Sequence, residues 1–144
     1  MRATLVFSLA LAVWLAVVAG AGAARLQACP ARSIGPGALA RGGTAGAECL
    51  LHAYRHGCPA AEYALSSFGV DTVATLRFKL VRRSGICAIA VTRSFRVVPQ
   101  KPRVTAIGTC KTLRRTATDI VAAGCGGGGL ATTTSLTRKE VLTE

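Results

Sequence analysis

The chain has 144 residues, with 18 Lys plus Arg against 6 Asp plus Glu, and a formal net charge of +12. That length suits one domain with a modest core, and the charge creates a positive field that attracts polyanions. No phosphate loop or Gly-x-Ser-x-Gly occurs, no Cys-x-x-Cys pair suggests a zinc ribbon or finger, and no cofactor is indicated.

Residues 1–24, MRATLVFSLALAVWLAVVAGAGAA, begin with a positive charge at Arg2, continue as an apolar run and end in small residues. This is the three-part plan of a secretory signal peptide. Cleavage is expected before Ala24 or Arg25. It would remove only one basic residue and leave no stable membrane span. Retention as an anchor is the competing reading, since about 20 apolar residues can just cross a bilayer. A lipoprotein box at Leu26-Gln27-Ala28-Cys29 fits less well, because Arg25 interrupts the run and lipidation would strand an odd number of cysteines. The remaining chain is expected to be secreted or to lie on the exterior of the cell envelope. Its six cysteines, Cys29, Cys49, Cys58, Cys87, Cys110 and Cys125, imply disulfides in an oxidising compartment.

Residues 25–43 carry Pro30, Pro36 and several glycines, and read as an irregular arm tethered through Cys29. A single α+β domain is expected over residues 44–125. It opens with a helix whose N-cap is Thr44, whose apolar face is Ala47, Leu50, Leu51, Tyr54 and Cys58, and which Gly57 and Pro59 terminate. Strands are predicted at about residues 62–68, 72–83, 86–98, 104–113 and 119–124. Ser84-Gly85 is a two-residue hairpin signal, and residues 99–102, PQKP, break the ladder. Residues 126–144 are expected to be a Gly-rich spacer and flexible tail, in which ATTTSLT either adds an edge strand or stays loose. The fold class expected is therefore one helix packed on a four- to five-stranded antiparallel meander, stapled by disulfides. This order of elements resembles cystatin-like folds, a likeness of order alone: the Gln-x-Val-x-Gly inhibitor loop does not occur.

The stretch CLLHAYRHGC, residues 49–58, brings the chemistry-bearing residues together. Cys49 and Cys58 lie about 13 Å apart along a helix, beyond the ~7 Å that a disulfide tolerates, so each must reach elsewhere. Glu48, His52 and His56 are spaced by four on the polar side, a chemically possible zinc or copper site. An amphipathic helix needs a polar side in any case, and no partners to orient the imidazoles are evident. A hairpin turning between Arg114 and Asp119 would set Cys110 opposite Cys125, which makes these two the lead disulfide pair.

Enzyme chemistry finds little support. The histidines share one helix face with no nominated serine, and Asp71 sits in a turn sequence. The bases are spread along the chain without interleaved aromatics, so no specific nucleic-acid motif appears. The leading expectation is a secreted, non-enzymatic binding module whose partner is an anionic envelope polymer or a protein. The alternatives are a small secreted enzyme or inhibitor with a pocket between helix and sheet, and a metal-binding protein using His52 and His56.

Overall fold

The computed structural model describes residues 25–37 and 41–138. The expected signal peptide, residues 1–24, lies outside the described residues, as do residues 38–40 and 139–144. Among the described residues the fold is α+β, with one helix and mostly antiparallel strands.

The helix α1 spans Ala45–Arg55. Its buried residues are Gly46, Ala47, Leu50, Leu51 and Ala53, the stripe that the three- and four-residue spacing of apolar residues requires. Thr44 precedes it but does not cap it by its hydroxyl, contrary to expectation. Its backbone is already helical (φ −81°, ψ −4°), so the side chain cannot turn back over the first amides. Its carbonyl instead accepts the Glu48 N–H at 2.9 Å. At the other end Gly57 has φ +87°, the left-handed conformation that glycine adopts without a Cβ penalty, and Pro59 follows.

Residues 25–43 are more regular than an irregular arm. Within them β1 (Gln27–Ala28) and β2 (Arg32–Ile34) both pair in parallel with β3 (Ala61–Phe68). From β3 the chain meanders through β4 (Thr72–Arg83), β5 (Ile86–Val97) and β6 (Arg103–Cys110), each antiparallel to the last. Ser84 (φ +49°) and Gly85 (φ +79°) form the two-residue turn between β4 and β5, with Arg83 opposite Ile86. Positive φ at both turn positions matches the twist of the flanking strands. In β4, Leu76, Phe78 and Leu80 are buried while Arg77 and Lys79 are exposed.

The expected strand at 104–113 divides at Lys111. Up to Cys110 it pairs with β5. From Thr112 it changes partner, and β7 (Thr112–Arg115), β8 (Ile120–Ala123) and β9 (Thr133–Ser135) form a separate three-stranded sheet. The helix contacts β3 of the first sheet and both β7 and β8 of the second, so both sheets help to cover it. The core between them is filled by Leu50, Tyr63, Phe78, Leu80, Ile89, Ile120 and Leu136.

The stretch 126–138 also departs from the expected spacer and tail. Gly126 exchanges two backbone hydrogen bonds with Thr109, at 2.9 and 3.0 Å. A Cβ on Gly108 would run into the Gly126 carbonyl oxygen, and one on Gly127 into the Ile107 carbonyl oxygen. The glycines thus let two backbones lie in contact, a close approach that side chains would prevent. Beyond them Leu136 is fully buried, and its carbonyl accepts the Tyr63 hydroxyl at 2.8 Å.

Three disulfides staple the elements. Cys29–Cys49 ties the N-terminal segment to the helix, Cys58–Cys87 ties the end of the helix to the β4–β5 hairpin, and Cys110–Cys125 closes the junction between the two sheets. Three disulfides with no free cysteine among the described residues mark a protein of an oxidising environment. No helix among the described residues is long and apolar enough to cross a membrane.

Candidate functional site

The residues of CLLHAYRHGC are pulled to different places. Cys49 reaches back to Cys29 and Cys58 reaches Cys87, with Cα separations of 5.7 and 5.8 Å. His52 and His56 are exposed and stack ring on ring, centroids 3.9 Å apart, with His56 Nδ1 2.9 Å from the His52 carbonyl oxygen. Glu48 turns away from them and pairs with Arg115 on β7. Its carboxylate also lies in the first turn of α1, where the partial positive charge of the helix N-terminus favours an anion. Among the described residues no group of three or more His, Cys, Asp or Glu gathers as a metal set would. Cys110 and Cys125, opposed across the hairpin, are joined with Cα atoms 3.8 Å apart.

A cleft of about 220 Å³ opens between the start of α1 and the β7–β8 turn, lined by Thr44, Glu48, Arg115, Asp119 and Thr137, among others. Its charged groups are already engaged. Glu48 holds Arg115, while Asp119 accepts from the Ile120 N–H at 2.6 Å and from the Thr137 hydroxyl. Asp119 also lies 3.7 Å from Arg138. A carboxylate whose acceptor sites are taken in this way holds a turn together. Asp71 is exposed in the β3–β4 turn, with its carbonyl accepting the Val98 N–H.

Cations gather at the opposite end of the helix. Arg55 lies in the last turn of α1, and the Arg82 guanidinium donates to the Gly57 carbonyl. The Cys58–Cys87 disulfide holds the hairpin here, and in the register of β4 and β5 Arg82 stands opposite Cys87, with Arg83 next along the strand. Lys111 arrives from the sheet junction: its carbonyl accepts the Tyr54 hydroxyl at 3.4 Å, and its stem lies along Gly124. The N-terminal segment ends at the same place, where the Gln27 N–H donates to the Ala60 carbonyl at 2.7 Å, two residues after Arg25.

Among the described residues, three of the four acidic side chains are taken up in ion pairs. Glu62 is engaged with Arg77 at 2.8 Å, Glu48 with Arg115, and Asp119 with Arg138. Sequence reasoning noted the charge but read it as spread along the chain. Only the disulfide pairing and the hairpin register bring residues as far apart as Arg55, Arg83 and Lys111 to one end. The signal available in the sequence was the Arg82-Arg83 pair beside a two-residue turn.

Comparisons with protein families, with curated proteins and with solved structures return no match.

Proposed function

We propose that this chain is a secreted, disulfide-stapled, non-enzymatic binding module whose partner is an anionic polymer of the cell exterior. The observation that carries this reading is the segregation of charge: three of the four described acidic residues sit in ion pairs, while Arg55, Arg82, Arg83 and Lys111 lie toward one end of the molecule, that of the helix C-terminus and the β4–β5 hairpin. Arginine forks hydrogen-bond tetrahedral oxyanions bidentately, and a field of one sign speeds encounter with a polymer of the other. The cystatin-like order of a helix followed by a meander belongs to this proposal as a description of the scaffold, and no activity is drawn from it. Secretion through residues 1–24 is its second premise, supported by the three disulfides. The test is retention of the oxidised protein at low salt on immobilised heparin and on immobilised polyphosphate, beside uncharged dextran. Retention on both polyanions and not on dextran is expected. Passage through all three columns would return the charge to a role in solubility alone.

A further inference from the structure

We infer that the anion-binding surface is the helix-terminal end of the molecule, built from Arg25, Arg55, Arg83 and Lys111 around Arg82, and that its ligand is a linear chain of tetrahedral oxyanions carried as phosphate or sulfate groups. This deepens the reading above and rests on it. Each cation is placed by a separate device. Arg55 comes from the last turn of α1, and Arg83 stands opposite Ile86 at the tip of the β4–β5 hairpin. Lys111 is set where the chain leaves β6 for β7, with its N–H on the Ala123 carbonyl at 3.0 Å. Arg82 spends its guanidinium on the Gly57 carbonyl and so anchors the hairpin to the helix end rather than projecting to a ligand. The Cys58–Cys87 disulfide ties the helix end to the hairpin at Arg82, and Cys110 of the Cys110–Cys125 disulfide directly precedes Lys111. A cation cluster held by covalent staples loses less freedom on binding than one on mobile loops.

Arg25 adds to the same end. β1 runs parallel to β3 with Gln27 opposite Ala61, so the chain before it heads toward Pro59 and the end of the helix. Signal-peptide cleavage beside Arg25 would leave a new α-ammonium at this place. Other exposed cations lie elsewhere, among them Lys101 and Arg103 at the β5–β6 turn, whose Val98 N–H donates to the Asp71 carbonyl, and Arg114 on β7 next to Arg115 of the Glu48–Arg115 pair.

The experiment compares two triple variants of the mature, oxidised chain that remove the same charge. One is Arg55→Gln, Arg83→Gln, Lys111→Gln; the other is Lys101→Gln, Arg103→Gln, Arg114→Gln. All six side chains are on exposed residues, and thermal melts check that both variants stay folded. Binding to polyphosphate and to heparin is titrated at several salt concentrations, the two probes separating phosphate from sulfate as the ligand group. The first variant is expected to weaken binding by about tenfold or more at ~0.15 M salt, and to reduce the slope of log K against log salt by about two to three, roughly one per lost contact. The second is expected to change affinity less than about threefold, as a loss of net charge screened over a Debye length of about 8 Å would. Equal losses in both variants would overturn the placement while leaving polyanion binding intact. No binding by the unmutated protein at low salt would overturn the functional reading as well.

Discussion

Gly46 has no room for a side chain. A Cβ there would collide with the Pro30 carbonyl oxygen and approach Tyr63 Cε2 to 2.6 Å, so the first turn of the helix is in contact with the N-terminal segment and with β3. Gly46→Ala would gain helix propensity of up to about 1 kcal/mol, yet overpacking of a filled site costs roughly 1–3 kcal/mol. The net expectation is destabilisation, read as a lower midpoint in urea unfolding. Thr134 works in the opposite direction. Its side chain is buried (1 % exposed), and its hydroxyl has no hydrogen-bond partner among the described residues. Thr134→Val keeps the shape and removes the desolvated group, so it should raise stability by about 1–3 kcal/mol. Tyr63 carries a pH signature. Burial pushes its phenol up to about 12 from 10.0, against a smaller lowering by Arg32. A folded pKa above the unfolded value means that the protonated form is favoured in the fold. The stabilisation is therefore complete below pH 10 and is lost as pH rises from 10 toward 12. Alkaline titration followed by phenolate absorbance should show one tyrosine ionising together with unfolding; Tyr63→Phe should remove that step and lose the hydrogen bond to Leu136.

At the scale of elements, the parts that local chemistry determines were readable from sequence. Ser84-Gly85 made a hairpin because a two-residue turn with positive φ at both positions sets its own register. The helix was readable because a stripe of apolar residues at three- and four-residue steps fits one geometry. The Cys110–Cys125 bridge followed from the turn between Arg114 and Asp119, since an antiparallel ladder carries register from one residue pair to the next. What could not be read was a change of partner. Alternation through residues 104–113 looks the same whether the strand stays in one sheet or leaves β5 at Cys110 for β8, because period-two patterning reports which face is buried and not which strand lies alongside. The short parallel pairings of β1 and β2 were hidden for a related reason: two or three residues are too few to show a period. The glycines at 126–129 resembled a linker because composition does not distinguish a free backbone from one packed against another. That packing has a measurable consequence. A chain ending at residue 129 should lose the Tyr63 hydrogen bond and the burial of Leu136. Its unfolding midpoint should fall by an amount equivalent to about 2–5 kcal/mol, by analogy with emptying a leucine-sized core site. An unchanged midpoint would mean that β9 adds nothing to the fold.

For the molecule as a whole, the candidate site was the least legible part, because Arg55, Arg83 and Lys111 come to one end of the molecule only through the strand register and the disulfides. Glu48, His52 and His56, which sequence spacing grouped together, are divided by an ion pair reaching across to β7. In the proposed function the charge acts through its arrangement and not merely its quantity, and that distinction can be measured. Affinity for polyphosphate at ~0.15 M salt, where exposed charges act over only about 8 Å, would be compared between the oxidised protein and the same chain reduced and capped with a neutral reagent. The two carry the same Lys and Arg residues but differ in whether the fold assembles them. The oxidised protein is expected to bind about tenfold or more tightly, a difference of at least about 1.4 kcal/mol. Equal affinity would contradict that reading, and would show that net charge alone, with no site, draws this chain to polyanions.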